Sequence, residues 1–153
     1  MNIGTSTEAV ARELLKHENL TVITNNMNVA NILVANESCD IKVAGGTLRR
    51  SDGALIGDLT IQVFEQFKVD FAIIGTSSMD NEGDLLDFDM QEVRVSKTII
   101  KQSRKTYLVT DASKLKRNAP VRIASLKEID AVFIDKLPSD LRLKCEAWGT
   151  KVF

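Results

Sequence analysis

Residues 70–78 read Asp-Phe-Ala-Ile-Ile-Gly-Thr-Ser-Ser, and this stretch decides the fold class. Its apolar part is the most hydrophobic strand-like segment in the chain, which predicts a buried β-strand. A glycine and three hydroxyl residues follow directly. In open α/β sheets, ligands bind beyond the carboxyl ends of the strands, so the stretch predicts both a strand and a place for a ligand.

Strand-like and helix-like patterns alternate on both sides of this stretch. The predicted strands are residues 20–24, 40–44, 70–75, 106–110, 129–134 and 151–153. The predicted helices are residues 7–16, a helix capped by residues 25–26, and residues 60–67, 90–104 and 139–147. Residues 77–89 are predicted to be a polar loop. The alternation predicts one α/β domain, with a mostly parallel sheet and helices on both faces.

Composition narrows the class of protein further. The chain has 153 residues and a formal net charge of -1, so it lacks the positive charge that supplies most affinity for DNA. No apolar run is long enough to cross a bilayer, and the start has no secretion signal, so we expect a cytoplasmic protein. Cys39 and Cys145 match no metal-ligand spacing, and we expect reduced thiols, no metal and no cofactor.

Small polar residues and glycines stand at nearly every strand end. The clearest group is Gly4-Thr5-Ser6-Thr7, which opens directly into a helix. Backbone N–H groups at a helix N-terminus, together with hydroxyls, form a seat for a phosphate group. Simple helix capping is the competing interpretation. The repetition of this chemistry at five strand ends favours phosphate or phosphosugar binding.

Other polar groups carry weaker functional hypotheses. The acidic run from Asp80 to Asp89 lacks the ligand register of a calcium-binding loop, so we expect a solvated loop. His17 is the only histidine and lies near a helix end, which argues against histidine-based catalysis. The basic residues 114–117 are either a solvated face or a phosphate clamp, and they are too few for a DNA site.

Five segments resemble the C-terminal sensor domain of the DeoR family of bacterial transcriptional repressors. They occur in the family's order and are IGTSTEAVA (3–11), VITNNMNVANIL (22–33), VAGGTLRRSDGALIG (43–57), QFKVDFAIIGTSSMDNEGDLLDFDMQEVR (66–94) and LVTDASKLKRNA (108–119). The resemblance implies a sensor domain similar in fold to ribose-5-phosphate isomerase and CoA transferases. It also implies that the domain binds a phosphorylated sugar or polyol, with glycerol 3-phosphate favoured.

The same resemblance implies a set of ligand-binding residues. The phosphate would sit on Gly4, Thr5, Ser6 and Thr7. The pocket would be lined by Thr24, Asn25, Asn26, Gly45, Gly46 and the loop from Gly75 to Asp80, in which Gly75, Ser77 and Asp80 are the named ligand-binding residues. Asp111 and Lys114 would lie at its rim, Arg49 would be a further phosphate partner, and Glu92 would lie near the ligand.

The chain also departs from these relatives in two ways. Gly75-Thr76-Ser77-Ser78 stands where the isomerase has an acidic run, and the isomerase's glycine-rich lysine motif has no counterpart. Enediol chemistry needs a base and an oxyanion stabiliser, so we expect no catalytic residues and no enzyme activity. The family's N-terminal helix-turn-helix DNA-binding domain is absent, and Met1-Asn2-Ile3 leaves little room for the first sensor-domain strand. We therefore expect residues 1–153 to form one sensor domain with a truncated first strand.

These observations lead to one functional expectation and two rivals. We expect the sensor domain of a repressor of sugar or glycerol catabolism, in which effector binding controls operator binding. The expected partners are a phosphorylated small molecule, further copies of the chain in a dimer or tetramer, and DNA only through the absent domain. The rivals are a sugar-phosphate isomerase-like enzyme and a domain that serves only oligomerisation.

Overall fold

The computed structural model describes all residues from Met1 to Phe153. The α-helices are α1 (Thr5–Leu14), α2 (Met27–Leu33), α3 (Asp58–Glu65), α4 (Met90–Lys101) and α5 (Ser139–Trp148). The strands are β1 (Leu20–Thr24), β2 (Cys39–Val43), β3 (Thr47–Arg49), β4 (Ala54–Ile56), β5 (Val69–Ile74), β6 (Ser78–Met79), β7 (Asp84–Asp87), β8 (Ser103–Val109), β9 (Val121–Ser125), β10 (Ala131–Phe133) and β11 (Lys151–Val152). Two 3₁₀-helices span Ala112–Lys116 and Leu126–Glu128.

Parallel strands form the centre of the domain. Four of them make a sheet in the order β11-β10-β8-β5, and β1 and β2 pair as a separate parallel ribbon. Helices α2, α4 and α5 lie in the connections β1–β2, β5–β8 and β10–β11, and the connection from β8 to the parallel strand β10 contains two 3₁₀-helices and β9. The predicted α/β class with a parallel sheet is therefore confirmed.

Two antiparallel units lie outside the predicted pattern. The strands β3 and β4 form a hairpin, and β6, β7 and β9 form a three-stranded sheet. The prediction of a polar, solvated loop over residues 77–89 was wrong, because Met79 and Leu85 are fully buried in the core. A tight turn joins β6 to β7, and the carboxylate of Asp80 accepts hydrogen bonds there from the N–H groups of Glu82 and Asp84.

The main core lies between the four-stranded sheet and helices α3, α4 and α5. Ile74 and Leu108 of the sheet pack in one cluster with Phe64, Val95 and Leu141 of the helices. The opposite face carries a row of aromatic side chains, in which two pairs are stacked and the pair Tyr107–Phe133 packs edge to face. The row consists of Phe71, Tyr107, Phe133 and Phe153. Phe71 and Phe153, the two ends of this row, are more than half exposed.

The first three residues lie between the two parallel sheets. The amine of Met1 donates to the carbonyl of Ile23 at 2.6 Å, and the N–H of Asn2 donates to the carbonyl of Ile73 at 3.3 Å. Asn2 also bonds through its side chain to both backbone groups of Gly75. These bonds fix the point at which the chain enters α1, next to the carboxyl end of β5.

Candidate functional site

A polar cavity of about 290 Å³ opens at the carboxyl ends of β5 and β8. Five segments meet there, namely the start of α1, the β3–β4 hairpin, the turn after β5, the start of α4 and the 3₁₀-helix after β8. The lining residues are Ile3, Gly4, Thr5, Ser6, Arg49, Asp52, Gly75, Thr76, Ser77, Asp87, Phe88, Asp89, Glu92 and Lys114. This is the position at which open α/β sheets bind ligands.

One side of the cavity, the donor face, consists of Gly4, Thr5, Ser6 and Lys114. Helix α1 has no side-chain cap, and its first backbone bond is donated by Glu8 to Gly4. The N–H groups at the start of the helix therefore have no acceptor within the chain, and the helix dipole adds positive potential there. Such a helix start can bind an anion.

Lys114 adds a formal positive charge to the donor face. Its side chain is only 17% exposed, and its nearest carboxylate is Asp111 at 4.0 Å. That separation is too long for a hydrogen bond, so the ammonium group keeps its donors available. Ser77, in the turn after β5, also lines the cavity, and its hydroxyl makes no hydrogen bond within the chain.

The other side, the acidic face, consists of Asp52, Asp87, Asp89 and Glu92. Arg49 of the hairpin binds three of these carboxylates. Its Nη1 donates to Asp89 at 2.6 Å, its Nε donates to Asp52 at 3.0 Å, and its Nη2 contacts Glu92. The guanidinium thus joins the hairpin to the start of α4, and hydrogen bonding to Asp52 raises its pKa.

Burial distinguishes Glu92 from its neighbours. Desolvation raises the pKa of Glu92 from 4.5 to about 7, although the hydrogen bond from Arg49 works against the change and the negative charge of Asp87 adds to it. Burial also acts to raise the pKa of Asp52, but hydrogen bonds from Arg49 and from the N–H of Ala54 outweigh it and lower that pKa. Near neutral pH, Glu92 is therefore a carboxyl group that changes charge easily.

Two carboxylate oxygens of the acidic face have no partner within the chain. Asp87 uses Oδ1 to accept from the N–H groups of Phe88 and Asp89, and its Oδ2 accepts no hydrogen bond. Glu92 uses Oε2 for Arg49, and its Oε1 is likewise unbonded. Because Asp87 and Glu92 are only 5% and 7% exposed, these oxygens meet little solvent outside the cavity that they line.

The structure brings half of the predicted ligand-binding residues to the cavity. Those that line it are Gly4, Thr5, Ser6, Arg49, Gly75, Ser77, Glu92 and Lys114. Those that do not are Thr7, Thr24, Asn25, Asn26, Gly45, Gly46, Asp80 and Asp111. Arg49 was predicted to be a further partner of the phosphate. Its guanidinium lines the cavity but is already bound by carboxylates.

The residues that miss the cavity have structural roles. The hydroxyl of Thr7 donates to backbone carbonyls, and Thr24 and Asn25 bond to the backbone of Met1 and Leu55. Asn26 caps α2 by accepting from the N–H groups of Asn28 and Val29. Thr24, Asn25 and Asn26 lie at the end of β1, and in the structure their side chains satisfy backbone groups.

The remaining predicted residues serve turns and close packing. The carbonyl of Gly45 accepts a hydrogen bond from Thr60, and Gly46 has a φ of +134° with no space for a side chain. Asp80 closes the β6–β7 turn, and Asp111 caps the following 3₁₀-helix by accepting from the N–H of Ser113. Backbone hydrogen bonding and close packing are therefore the structural roles of these residues.

Five lining residues were not predicted, and three of them are acidic. The missed residues are Ile3, Asp52, Asp87, Phe88 and Asp89, whereas Thr76 belongs to the loop from Gly75 to Asp80 that was predicted to line the pocket. Asp87 and Asp89 fell within the run that was predicted to be solvated. The Asp-Leu-Leu-Asp sequence of β7 gives no signal for this, because its polar and apolar residues do not alternate, and it is the strand's alternating burial in the sheet with β9 that places Asp87 on the inner side.

A second cavity, of about 510 Å³, lies between β1 and β5 and is lined mainly by apolar side chains. It contains no group of charged residues comparable with the acidic face. No His, Cys, Asp or Glu residues are grouped so that three or more could hold a metal ion. None of the helices has the length and apolar character needed to span a membrane.

Comparisons with known proteins agree with the sequence resemblance. A family model described as the DeoR C-terminal sensor domain matches residues 1–136. The glycerol-3-phosphate regulon repressor of Escherichia coli K12 is 49% identical over 138 residues, which are 90% of this chain and 55% of that protein. The protein of the same name from Haemophilus influenzae is 47% identical over 141 residues, or 92% of this chain and 55% of that protein.

A more distant relative has a different name. The HTH-type transcriptional repressor CsqR of Escherichia coli K12 is 36% identical over 138 residues, which cover 90% of this chain and 53% of that protein. The chain thus spans about half the length of these three relatives. All three are named as transcriptional repressors and none as an enzyme, in agreement with the expectation that the domain is not catalytic. Since the family model covers most of the chain, this protein belongs to the DeoR C-terminal sensor domain family.

Proposed function

We propose that residues 1–153 are the effector-binding sensor domain of a transcriptional repressor, and that the cavity binds a small phosphorylated polyol or sugar. One observation carries the proposal. The uncapped start of α1 and the ammonium group of Lys114 line the same cavity. A phosphate group could accept hydrogen bonds from the backbone N–H groups while Lys114 neutralises part of its charge.

The acidic face supports the polyol half of the proposed ligand. Ionised carboxylates only accept hydrogen bonds, and hydroxyl groups can donate to them. Asp87 and Glu92 each have an oxygen without a partner in the cavity. A ligand with a phosphate and several hydroxyl groups therefore matches both faces, whereas inorganic phosphate or glycerol would match only one.

Glycerol 3-phosphate is the leading candidate. It carries both groups, and two relatives that are 49% and 47% identical to this chain are named as repressors of the glycerol-3-phosphate regulon. Those names state which regulon is repressed. The chemistry of the cavity is the reason for proposing that the ligand binds here.

The proposal extends to a longer repressor. The chain has a formal net charge of -1, which is unsuited to a DNA-binding surface. We place operator binding in a helix-turn-helix domain outside residues 1–153, and we place the domain in the cytoplasm as part of a dimer or tetramer. Effector binding would then change operator affinity by favouring one arrangement of subunits over another.

A thermal-shift panel tests the proposal. The ligands are glycerol 3-phosphate, fructose 6-phosphate, ribose 5-phosphate, inorganic phosphate and glycerol. A ligand that binds only the folded domain raises Tm, so at least one phosphorylated polyol or sugar should do so, and glycerol should not. An aldose–ketose conversion assay with the same sugar phosphates should detect no turnover.

A pair of lysine variants links the effect to the cavity. Lys114→Met removes the ammonium group from the cavity, whereas Lys116→Met removes an exposed one from the same 3₁₀-helix. Only Lys114→Met should weaken binding, by about tenfold or more, since a hydrogen bond to a charged group contributes about 1.5–3 kcal/mol. The proposal fails if no phosphorylated ligand shifts Tm, or if both variants respond like the parent domain.

A further inference from the structure

We infer that the acidic face determines specificity, accepting ligand hydroxyl groups at Asp87 and Glu92 and repelling ligands that present a carboxylate there. The site would take phosphorylated polyols and sugars and reject phosphorylated hydroxy acids. The inference rests on the proposed function, because it assumes that a phosphorylated ligand occupies the cavity.

The positions of Asp87 and Glu92 are the first reason. Both side chains are more than nine-tenths buried, and each has an oxygen that lines the cavity and lacks a partner. Each of these oxygens is open to the cavity and can accept a hydrogen bond from a ligand hydroxyl, whereas a ligand carboxylate has no proton to donate.

The balance of charge is the second reason. Four carboxylates and two basic side chains line the cavity. Arg49 is the basic group nearest the acidic face, and it already binds three carboxylates, namely Asp52, Asp89 and Glu92. A further negative group would therefore meet a surface with excess negative charge and no free cation.

Arg49 acts as a positioning residue in this arrangement. Its bonds to Asp89 and Glu92 cross from the hairpin to α4, and its bonds to Asp52 lie within the hairpin. By holding one oxygen of Glu92, the guanidinium leaves the other oxygen for a ligand. Lys114, in contrast, has only Asp111 as a carboxylate partner and remains available for the phosphate.

Glycerol 3-phosphate and 3-phosphoglycerate form a matched pair of probes. They share a phosphate and a central hydroxyl, but one ends in a hydroxymethyl group and the other in a carboxylate. Calorimetric titration of the domain with each compound at pH 8, where Glu92 is mostly ionised, should give a Kd for 3-phosphoglycerate at least about tenfold higher, as expected for like charges held a few ångströms apart near a protein surface.

A charge-neutral variant identifies the residue responsible. Glu92→Gln keeps the shape of the side chain and removes its negative charge, so the ratio of the two Kd values should fall toward one. Glu65→Gln, an exposed residue of α3 outside the cavity, should leave the ratio unchanged. Thermal unfolding of each variant establishes that it is folded before titration.

The possible results separate the two proposals. The specificity inference is overturned, and the proposed function stands, if the Kd values of the two compounds for the parent domain lie within about threefold of each other. The same conclusion follows if Glu92→Gln is folded and keeps the full ratio of the two Kd values. If neither these compounds nor any other phosphorylated polyol or sugar binds, the proposed function fails and the inference fails with it.

Discussion

Replacing Glu92 by glutamine should stabilise the domain at alkaline pH and have little effect in mild acid. Burial raises the pKa of Glu92 from 4.5 to about 7, so the folded domain holds a proton that the unfolded chain has lost over this range. The contribution of Glu92 to stability is therefore most favourable below pH 4.5. It becomes less favourable as the pH rises, and levels off above pH 7. Glutamine cannot ionise and avoids this loss.

The size of the effect follows from the two pKa values. A displacement from 4.5 to about 7 corresponds to about 3 kcal/mol between the protonated and ionised forms. Part of that difference is already present at pH 5, where the unfolded chain is mostly ionised. Between pH 5 and pH 8, the free energy of unfolding of Glu92→Gln should therefore gain about 2 to 3 kcal/mol relative to the parent domain.

The measurement is urea unfolding of both proteins at pH 5, 6, 7 and 8. The informative quantity is the difference between their free energies of unfolding at each pH, because another group also titrates in this range. Burial lowers the pKa of the Met1 amine to about 5, so this amine makes both proteins more stable as the pH rises. The exposed control Glu65→Gln should give a difference that does not vary with pH. A Glu92→Gln difference that stays constant within about 0.5 kcal/mol would refute the assignment of a raised pKa to Glu92.

Three further substitutions test the packing around the site. Gly46→Ala would place a Cβ 2.2 Å from the hydroxyl oxygen of Thr60, at a residue whose φ is +134°. The free energy of unfolding should therefore fall by about 2–4 kcal/mol, and a loss below about 1 kcal/mol would contradict the geometry. Asn26→Ala removes the cap of α2 and should cost about 1–2 kcal/mol in the same urea assay, whereas no loss would mean that the cap is dispensable. Leu85→Ala should lower the free energy of unfolding by about 2–5 kcal/mol, since this side chain is fully buried. The control Leu143→Ala, at a 63% exposed position, should change it by no more than about 0.5 kcal/mol, and equal losses would contradict the assigned core.

Local patterns were enough to predict the parallel part of the fold. The run of β-branched residues from Leu20 to Thr24 is a strand with the predicted bounds, and Asn26 caps α2 as predicted. The antiparallel sheet was not predicted, because β6 has only two residues and acidic side chains begin and end β7. Burial of Leu85 and Asp87 depends on pairing with β9, which lies more than thirty residues further along the chain.

The same distinction applies to the cavity. The donor face could be predicted because Gly4, Thr5 and Ser6 are adjacent in sequence and open a helix. Of the acidic face, only Glu92 was predicted, through the family resemblance. Asp52, Asp87 and Asp89 were not, because contacts such as that of Arg49 with Asp89 span a sequence separation of 40 residues. No periodicity within the hairpin or α4 indicates that contact, so only the folded chain shows which carboxylates line the cavity.

We propose that the cavity at the start of α1 binds a phosphorylated effector. Calorimetric titration of the domain with glycerol 3-phosphate, with glycerol as the comparison, measures this binding. We predict saturable binding of one equivalent of glycerol 3-phosphate and no such binding of glycerol. When Thr5 and Ser6 are both replaced by alanine, the Kd should be at least about tenfold higher, because two hydroxyl donors to an anion are lost. Binding that is unchanged in that double variant, or no binding of any phosphorylated polyol or sugar to the folded domain, would contradict the claim.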